Sequence, residues 1–433
     1  MSTAVAPEDV VVEHEVVTQT SWRQRLVSGT FLVLLGLVTI WFLALSLPSG
    51  NEARLKMGAT DALSVPDLVL PGRATALVLG VVIVLLGVYQ LVRGCSRRAM
   101  PWLLAAAFVS FMVAFLCWVS ARGDGRTLDL VGLLSNSIGL SVPLILGALA
   151  GVLCERSGVI NVSIEGQMLA GAWAAALTGS VAGIYFGLVG AMVAGALMGV
   201  MLALFAIKYL VNQVVLGVVL NVFALGLTGF FYDAFMQPNA DTLNNPGVLG
   251  QINIPLLSHI PVVGPLLFQA NIVVYLTYVL IIVIDVALFR TRWGLRTRSV
   301  GEHPKAADTV GIKVLRTRYR NVIMGGLVAG LGGAFLTIGT IGGFTKDISS
   351  GKGFIALAAV IFGKWSPRGA VGAALLFGFA DALQSLLSVV GTPVPIPSNF
   401  LLMLPYLATL FAVAGLVGKV SAPAADGQPY TKS

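Results

Sequence analysis

The sequence predicts an all-α polytopic membrane protein with about 12 transmembrane segments, an inverted repeat and broken or re-entrant helices. Hydrophobic residues make up 57% of the 433 residues, charged residues make up 11%, and the mean hydropathy is +0.91. An ordinary soluble domain has fewer apolar and more charged residues, so this composition excludes the soluble globular class. The apolar residues fall into long runs, and a helix needs about 20 such residues to cross a bilayer.

Three apolar segments follow an acidic tail, and together they form an N-terminal extension, residues 26–125. The segments are residues 26–47, 74–92 and 102–121. Arg93, Arg97 and Arg98 separate the second segment from the third, and basic residues beside spans favour the cytoplasmic side. The tail, residues 1–25, is therefore expected in the cytoplasm, and the linker between the first two segments is expected outside.

The longer region that follows, residues 126–420, contains the remaining predicted segments. They are residues 130–154, two crossings within 165–208, then 209–232, 271–289, 321–344, 353–363, 369–390 and 400–418. Only eleven uncharged residues separate Lys352 from Lys364, which is too few for a straight span and predicts a broken or re-entrant helix. Prolines mark residues 233–270 as an ordered external loop, and the polar tail, residues 421–433, is expected in the cytoplasm.

A dense polar insert at residues 290–320 interrupts these apolar segments. It contains nine basic residues and two acids, an imbalance that marks a cytoplasmic loop. Its middle predicts a short helix, because Pro304 suits a first helical position and Gly311 suits the residue just past the end.

A small apolar face on this short helix is formed by Ala306, Ala307 and Val310. A helix of this length is not stable alone in water and needs a partner. Two interpretations remain open: the insert serves membrane topology alone, or its helix docks a cytoplasmic protein.

Four stretches, in this order along the chain, resemble the permease subunits of bacterial ABC importers, in particular permeases for nucleosides and simple sugars. They are residues 155–161 continuing into 164–166, then 254–258, 301–312 and 353–365. The resemblance runs from about residue 130 to the C-terminus and leaves the extension outside. It identifies the insert with the coupling loop. The implied docking residues for a partner subunit are Gly301, Glu302, Pro304, Ala306, Ala307, Asp308 and Gly311.

The resemblance also implies a function and a set of partners. It implies a permease subunit, not an enzyme, that forms the pathway for nucleosides across the bacterial cytoplasmic membrane and binds no cofactor itself. ATP and Mg²⁺ would bind a separate ATPase subunit. The other implied partners are a second, different permease chain, an external substrate-binding lipoprotein and membrane lipid. Two alternatives stay open: a permease for a simple sugar such as ribose, and an ion-coupled secondary transporter.

The sequence offers no pattern for catalysis, metal binding or nucleic-acid binding. His14, His259 and His303 are far apart in the sequence, and the three cysteines lack the spacing of metal ligands. No GxxxxGK[ST] phosphate-binding loop occurs, which agrees with ATP hydrolysis on another subunit. No basic stripe with interleaved aromatic residues occurs outside the insert.

Polar residues within the predicted segments are the candidates for a substrate pathway, because a bilayer disfavours them. Asn161, Glu165 and Gln167 cluster where the chain re-enters the membrane, and they either cap a helix or line the pathway. Uncharged amides suit a hydroxylated or heterocyclic solute, and aromatic rings suit stacking on a base or sugar. The alternatives are hydrogen bonds between helices and simple packing. The full candidate set is Asn136, Asn161, Glu165, Gln167, Trp173, Asn212, Gln213, Asn221 and Phe354.

The predicted inverted repeat relates residues 158–201 to residues 351–378. Each begins with a polar entry and continues into a segment rich in small residues. Repeats of this kind place a substrate site near the membrane midplane, at broken helices. Of the acids in the spans, Asp285 is expected to pair with Arg290 or to extend to the interface, and Asp381 is expected near a span end, without an assigned role.

Overall fold

The computed structural model describes residues 22–58, 66–96, 99–122, 127–391, 400, 403 and 422–431. Within these residues, nine helices are long and apolar enough to cross a membrane. The all-α polytopic prediction is therefore confirmed. Contacts divide the chain into two compact units, residues 1–55 with 67–128 and residues 56–66 with 129–433.

The first unit is built on the three predicted segments of the extension. Its elements are α1 (Trp22–Val38), β1 (Glu52–Lys56), β2 (Leu68–Pro71), α2 (Gly72–Val92), α3 (Met100–Arg122) and β3 (Thr127–Asp129). Helix α1 continues as a π-helical turn, Thr39–Ala44. The linker predicted to lie outside contains β1 and β2, which pair antiparallel with Leu55 opposite Leu68. Buried and exposed residues alternate along β1, as expected of a strand with one covered face.

The second unit contains the remaining elements. They are α4 (Leu130–Glu155), α5 (Ile164–Ala182), α6 (Ile184–Ala203), α7 (Gln213–Phe231), α8 (Ala240–Leu243), β4 (Ile252–Asn253), α9 (Val263–Leu267), β5 (Gln269–Ala270), α10 (Ile272–Arg290), α11 (Arg292–Glu302), α12 (Pro304–Thr309), α13 (Val314–Leu336), α14 (Lys352–Phe362) and α15 (Pro367–Val390). The loop predicted over residues 233–270 is ordered by short elements, with β4 and β5 paired antiparallel.

Helices α4 and α13 form the centre of the second unit. In each, 83% of the most apolar stretch is buried, compared with 28% to 39% in α6, α7, α10 and α15.

Glycines allow α13 to approach its neighbours closely. A Cβ atom at Gly330 would collide with the Ala191 carbonyl oxygen of α6, and one at Gly333 would collide with the Met168 carbonyl oxygen of α5. Small residues serve this purpose in membranes, where packing rather than hydrophobic transfer holds helices together.

Two helices depart from a simple count of spans. Helix α5 has 19 residues but is not among the nine apolar candidates, and α14 has only 11 residues. At about 1.5 Å per residue, α14 is roughly 16 Å long, about half the hydrocarbon thickness. The prediction of a short, broken segment after Lys352 is therefore confirmed. The last predicted segment, residues 400–418, lies outside the described residues except for positions 400 and 403, so the total of about 12 stays a prediction.

Candidate functional site

Glu165 joins the beginnings of two helices. It lies in the first turn of α5, yet its carboxylate accepts hydrogen bonds from the backbone N–H groups of Gly351 at 2.8 Å and Gly353 at 2.5 Å, at the start of α14. The first N–H groups of a helix have no partner within it, and their end of the helix is positive. Glu165, only 7% exposed, therefore caps α14 rather than its own helix.

The close approach of α5 and α14 depends on Gly353. A Cβ atom at this position would lie 2.5 Å from the Cα atom of Glu165. Any larger residue would separate the two helix starts. Gly351, two residues before Gly353, has a φ of +81°, which lies in the left-handed region that favours glycine.

A buried amide network lies beside this contact. Ser163 Oγ donates to Asn161 Oδ1 at 2.8 Å, Asn161 Nδ2 donates to Gln167 Oε1 at 3.1 Å, and Gln167 Nε2 donates to Ser163 Oγ at 3.1 Å. All three side chains are fully buried. Buried polar groups are costly unless they are paired, and here they satisfy one another within the connection between α4 and α5.

Helix α7 supplies two more predicted residues to the same connection. Gln213 Oε1 accepts from the N–H of Ile160 at 2.7 Å. Asn221 Oδ1 accepts from the N–H of Gly166 at 2.8 Å, and Asn221 Nδ2 donates to the Val162 carbonyl at 2.9 Å. The structure thus brings together five of the predicted residues around the connection between α4 and α5. Glu165, Gln213 and Asn221 bind backbone groups, whereas Asn161 and Gln167 bind each other and Ser163.

The other two amides lie elsewhere. Asn212 caps α7, because its Oδ1 accepts from the N–H groups of Val214 and Val215 at 3.0 and 3.2 Å. Asn136 lies on α4 with its side chain exposed. Of the predicted amides, it is the one without a hydrogen-bond partner in the described part of the chain.

The two predicted aromatic residues belong to separate surroundings. Trp173 packs against Phe231 with ring centroids 5.4 Å apart, and its buried Nε1 has no hydrogen-bond partner among the described residues. Phe354, in the first turn of α14, is 49% exposed. No ring contact joins Phe354 to Trp173 in the region that the structure describes.

The predicted short helix of the polar insert is α12. It begins at Pro304, ends at Thr309 and is followed by Gly311 with a φ of +85°. Ala306 is exposed, and Val310 is 75% exposed. These two side chains therefore lie on the solvent-exposed side of α12.

The sequence predicted that Ala306, Ala307 and Val310 form one apolar face of α12, and this prediction is wrong for Ala307. Ala307 is only 3% exposed and packs with Val300, Val314 and Tyr430. Successive residues of an α-helix point about 100° apart, so α13 and the C-terminal residues cover Ala307 while Ala306 remains free. Ala307 therefore lies on the covered side of α12.

The remaining predicted docking residues are held by backbone contacts. The Gly301 carbonyl accepts from the N–H of Ala425 at 2.9 Å, and Glu302 Oε2 accepts from the N–H of Ala424 at 3.1 Å. The Asp308 carbonyl accepts from the N–H of Gly311 at 2.9 Å and closes the helix.

Arg156, in the connection after α4, was not predicted as a site residue. Its Nε donates to the Trp365 carbonyl at 2.7 Å and its Nη2 donates to the Lys364 carbonyl at 3.3 Å, just after α14. Burial lowers the pKa of its guanidinium, and Glu302 acts in the opposite direction. A Cβ atom at Gly301 would collide with the Arg156 carbonyl oxygen. The insert, the end of α4 and the end of α14 therefore meet at this arginine.

The predicted pairing of Asp285 with Arg290 and the predicted position of Asp381 near a span end were wrong. Asp285 pairs with Arg368, with Oδ2 at 2.7 Å from Nη2 and 3.0 Å from Nε, rather than with Arg290. The partner comes from α15, which no local pattern indicates. Asp381 lies near the middle of α15 rather than near its end.

Comparisons with known proteins identify the family. Residues 133–414 match the model of the branched-chain amino acid transport system permease component. The chain belongs to this permease family. The permease is 42% identical over 324 residues to the guanosine ABC transporter permease NupQ of Bacillus subtilis, which covers 70% of this chain and 99% of NupQ.

Two further relatives extend this comparison. The permease is 40% identical over 320 residues to the nucleoside ABC transporter permease NupC of Lactococcus lactis, covering 71% of this chain and 98% of NupC. It is 35% identical over 254 residues to TsgC13 of Haloferax volcanii, a putative glucose ABC transporter permease, covering 58% of this chain and 77% of TsgC13. No solved structure matches the chain.

Membership of the family decides the class of the protein. The permease is a multi-pass membrane protein and a transport component rather than an enzyme. An ABC permease works with an ATPase subunit and a substrate-binding partner, so both are implied for this chain.

Proposed function

We propose that this permease forms the nucleoside pathway of a bacterial ABC importer, together with a second, different permease chain. The observation that carries the proposal is the similarity to guanosine and nucleoside permeases over 98% to 99% of their length. A separate ATPase subunit binds ATP and Mg²⁺, and an external lipoprotein delivers the solute near residues 233–270. Both termini of the permease lie in the cytoplasm.

The ATPase docks on the exposed side of α12 in this proposal. That side presents Lys305, Ala306, Thr309 and Val310, while Ala307 is buried behind it. A cation and a small apolar patch on a rigid, short helix suit a groove on a cytoplasmic partner. The basic residues around α12 in the insert serve membrane topology as well.

Movement of α12 reaches the membrane helices through a series of direct contacts. Gly301, just before α12, packs on the Arg156 carbonyl, and the Arg156 side chain binds the carbonyls of Lys364 and Trp365. These residues follow α14, whose other end is capped by Glu165. ATP-driven displacement of α12 is thereby transmitted to both broken helices, where inverted-repeat transporters hold their substrate.

Two alternatives are less well supported. A sugar permease is favoured by the lower similarity to TsgC13 and TsgB13 of Haloferax volcanii. An ion-coupled transporter needs a carboxylate that binds and releases its ion during transport. Both oxygens of Glu165 are occupied by backbone N–H groups, which disfavours this role for Glu165 but not for Asp381 of α15.

The test is uptake of labelled guanosine by the complete transporter in right-side-out membrane vesicles, with or without ATP loaded into the lumen. Uptake is expected to require ATP on the cytoplasmic side, to be inhibited by excess unlabelled nucleosides but not by ribose, and to persist when a protonophore removes the proton gradient. ATP-dependent uptake of labelled ribose without uptake of guanosine would support the sugar permease. Loss of uptake with the protonophore at constant ATP would support ion coupling.

A further inference from the structure

The C-terminal residues 422–431, here called the C-terminal arm, return to the polar insert and bind it through the backbone. The N–H of Ala425 donates to the Gly301 carbonyl at 2.9 Å, and the N–H of Ala424 donates to Glu302 Oε2 at 3.1 Å. The arm is folded on itself by turns, in which the N–H of Asp426 donates to the Pro423 carbonyl at 3.0 Å and Gly427 has a φ of +72°. It therefore presents a defined shape to the last residues before α12.

A buried arginine secures the middle of the arm. Arg318, in the first turns of α13, is only 2% exposed, and its Nη1 donates to the Gln428 carbonyl at 2.9 Å. Burial raises the pKa of Asp426 to about 7, while Arg318 acts in the opposite direction. A buried cation is costly without partners, so the arm supplies part of what keeps Arg318 in place.

The end of the arm packs directly beneath the docking helix. Tyr430 is 7% exposed and lies in one apolar cluster with Val300 of α11, Ala307 of α12 and Val314 of α13. A helix of six residues is not stable without tertiary contacts. Within the described residues, this cluster is the apolar support of α12.

The arm also reaches the connection that leads to the broken helices. A Cβ atom at Gly158 would lie 2.8 Å from Arg318 Nη2 and 3.1 Å from the Ala425 carbonyl oxygen. Gly158 has a φ of +86°, which glycine adopts readily. The arm, the end of α11 at Gly301 and the connection between α4 and α5 are thus in contact at one place.

We propose that the C-terminal arm positions the ATPase docking surface, with Arg318 and Tyr430 as positioning residues that hold α12 so that Ala306 and Val310 face the ATPase subunit. The proposal rests on the proposed function for the identity of the partner. In this proposal, the arm helps to transmit the ATP-driven movement of α12 to the membrane helices, and it does not contact the transported solute.

The experiment compares the wild-type permease with Tyr430→Ala, Tyr430→Phe and a chain that ends at residue 421, each in the complete transporter. Tyr430→Ala and the shortened chain are expected to lower the maximal rate of nucleoside uptake at least tenfold, with an unchanged KM for the nucleoside. Both are also expected to weaken binding of the purified ATPase subunit at least tenfold. Tyr430→Phe keeps the ring and is expected to retain most of the activity.

Two controls separate positioning from loss of folding. Thr431→Ala changes an exposed side chain next to Tyr430 at the end of the arm, so it is expected to behave as wild type. A synthetic peptide of residues 422–433 is expected to restore ATPase binding to the shortened chain, whereas the same peptide with Tyr430→Ala is not.

The outcomes also test the role of the arm separately from the proposed nucleoside transport. Normal ATPase binding and uptake by the shortened chain would overturn the role of the arm. If the peptide restores no ATPase binding, the loss reflects misfolding and the positioning role is also overturned. If the wild type transports no nucleoside, the proposed function fails, but the binding assay still tests the arm.

Discussion

At the scale of single residues, the polar side chains of the membrane core act mainly on the backbone. Glu165 caps α14, while Gln213 and Asn221 bind backbone groups of the connection that precedes α5. An irregular backbone in a membrane survives only where its polar groups are satisfied by protein or water. These residues satisfy the backbone of the connection between α4 and α5 and the start of α14.

Replacing Glu165 is expected to destabilise the permease. Glu165→Ala leaves two buried N–H groups without acceptors, at roughly 1–3 kcal/mol each, whereas Glu165→Gln keeps one acceptor oxygen and is expected to cost less. Thermal unfolding of the purified complex, measured together with guanosine uptake, checks this order. Equal stability of wild type and Glu165→Ala would contradict the capping role.

Neighbouring alanines of α12 provide a matched pair of substitutions. Ala306→Arg adds an exposed side chain and is expected to preserve folding while weakening ATPase binding and uptake. Ala307→Arg forces a charge into an apolar cluster and is expected to destabilise the fold by roughly 3 kcal/mol or more.

Membrane abundance, thermal stability and ATPase binding of the two variants are measured side by side. Equal abundance with loss of binding only in Ala307→Arg would mean that the exposed and buried sides of α12 are assigned in reverse.

At the scale of elements, helices α5 and α14 meet through glycine. Gly353 allows the start of α14 to touch the backbone of Glu165, and Gly330 and Gly333 let α13 approach α6 and α5. Such contacts are set by backbone separation, so even one added methyl group must move a helix.

Gly353→Ala is therefore expected to separate α5 from α14, with a loss of stability of roughly 1–3 kcal/mol and reduced uptake. Gly372→Ala on α15 is the control, because a Cβ atom there meets nothing within 4 Å. Replacing an interior helical glycine by alanine is itself favourable by about 0.5–1 kcal/mol, so this control is expected to be neutral or slightly stabilising. Equal uptake and thermal stability of the two variants would show that the close contact is dispensable.

At the scale of the whole molecule, the chain consists of a permease core and an N-terminal unit with its own helices. The family match covers residues 133–414, and NupQ is covered to 99% by 70% of this chain. The extension thus lies outside the residues that match the family.

Removal of residues 2–98 is expected to leave nucleoside uptake within about twofold of wild type. This deletion removes two predicted spans and keeps α3, so the topology of the core is preserved by its unchanged basic loops. A deletion through residue 125 is the contrasting variant, because it removes an odd number of spans and is expected to impair insertion. Loss of uptake with normal insertion after the shorter deletion would show that the extension is needed for assembly.

The sequence by itself determined the features that depend on composition and on neighbours along the chain. Apolar runs defined the helices, the basic insert contained the short helix α12 between Pro304 and Gly311, and the spacing of Lys352 and Lys364 predicted the short α14. The tertiary structure alone decided that Glu165 caps a helix 186 residues away, that Ala307 is buried beside exposed Ala306, and that the C-terminal arm supports α12. These contacts join residues far apart in sequence, and local propensity and hydropathy contain no information about which distant backbone groups will lie within hydrogen-bonding distance.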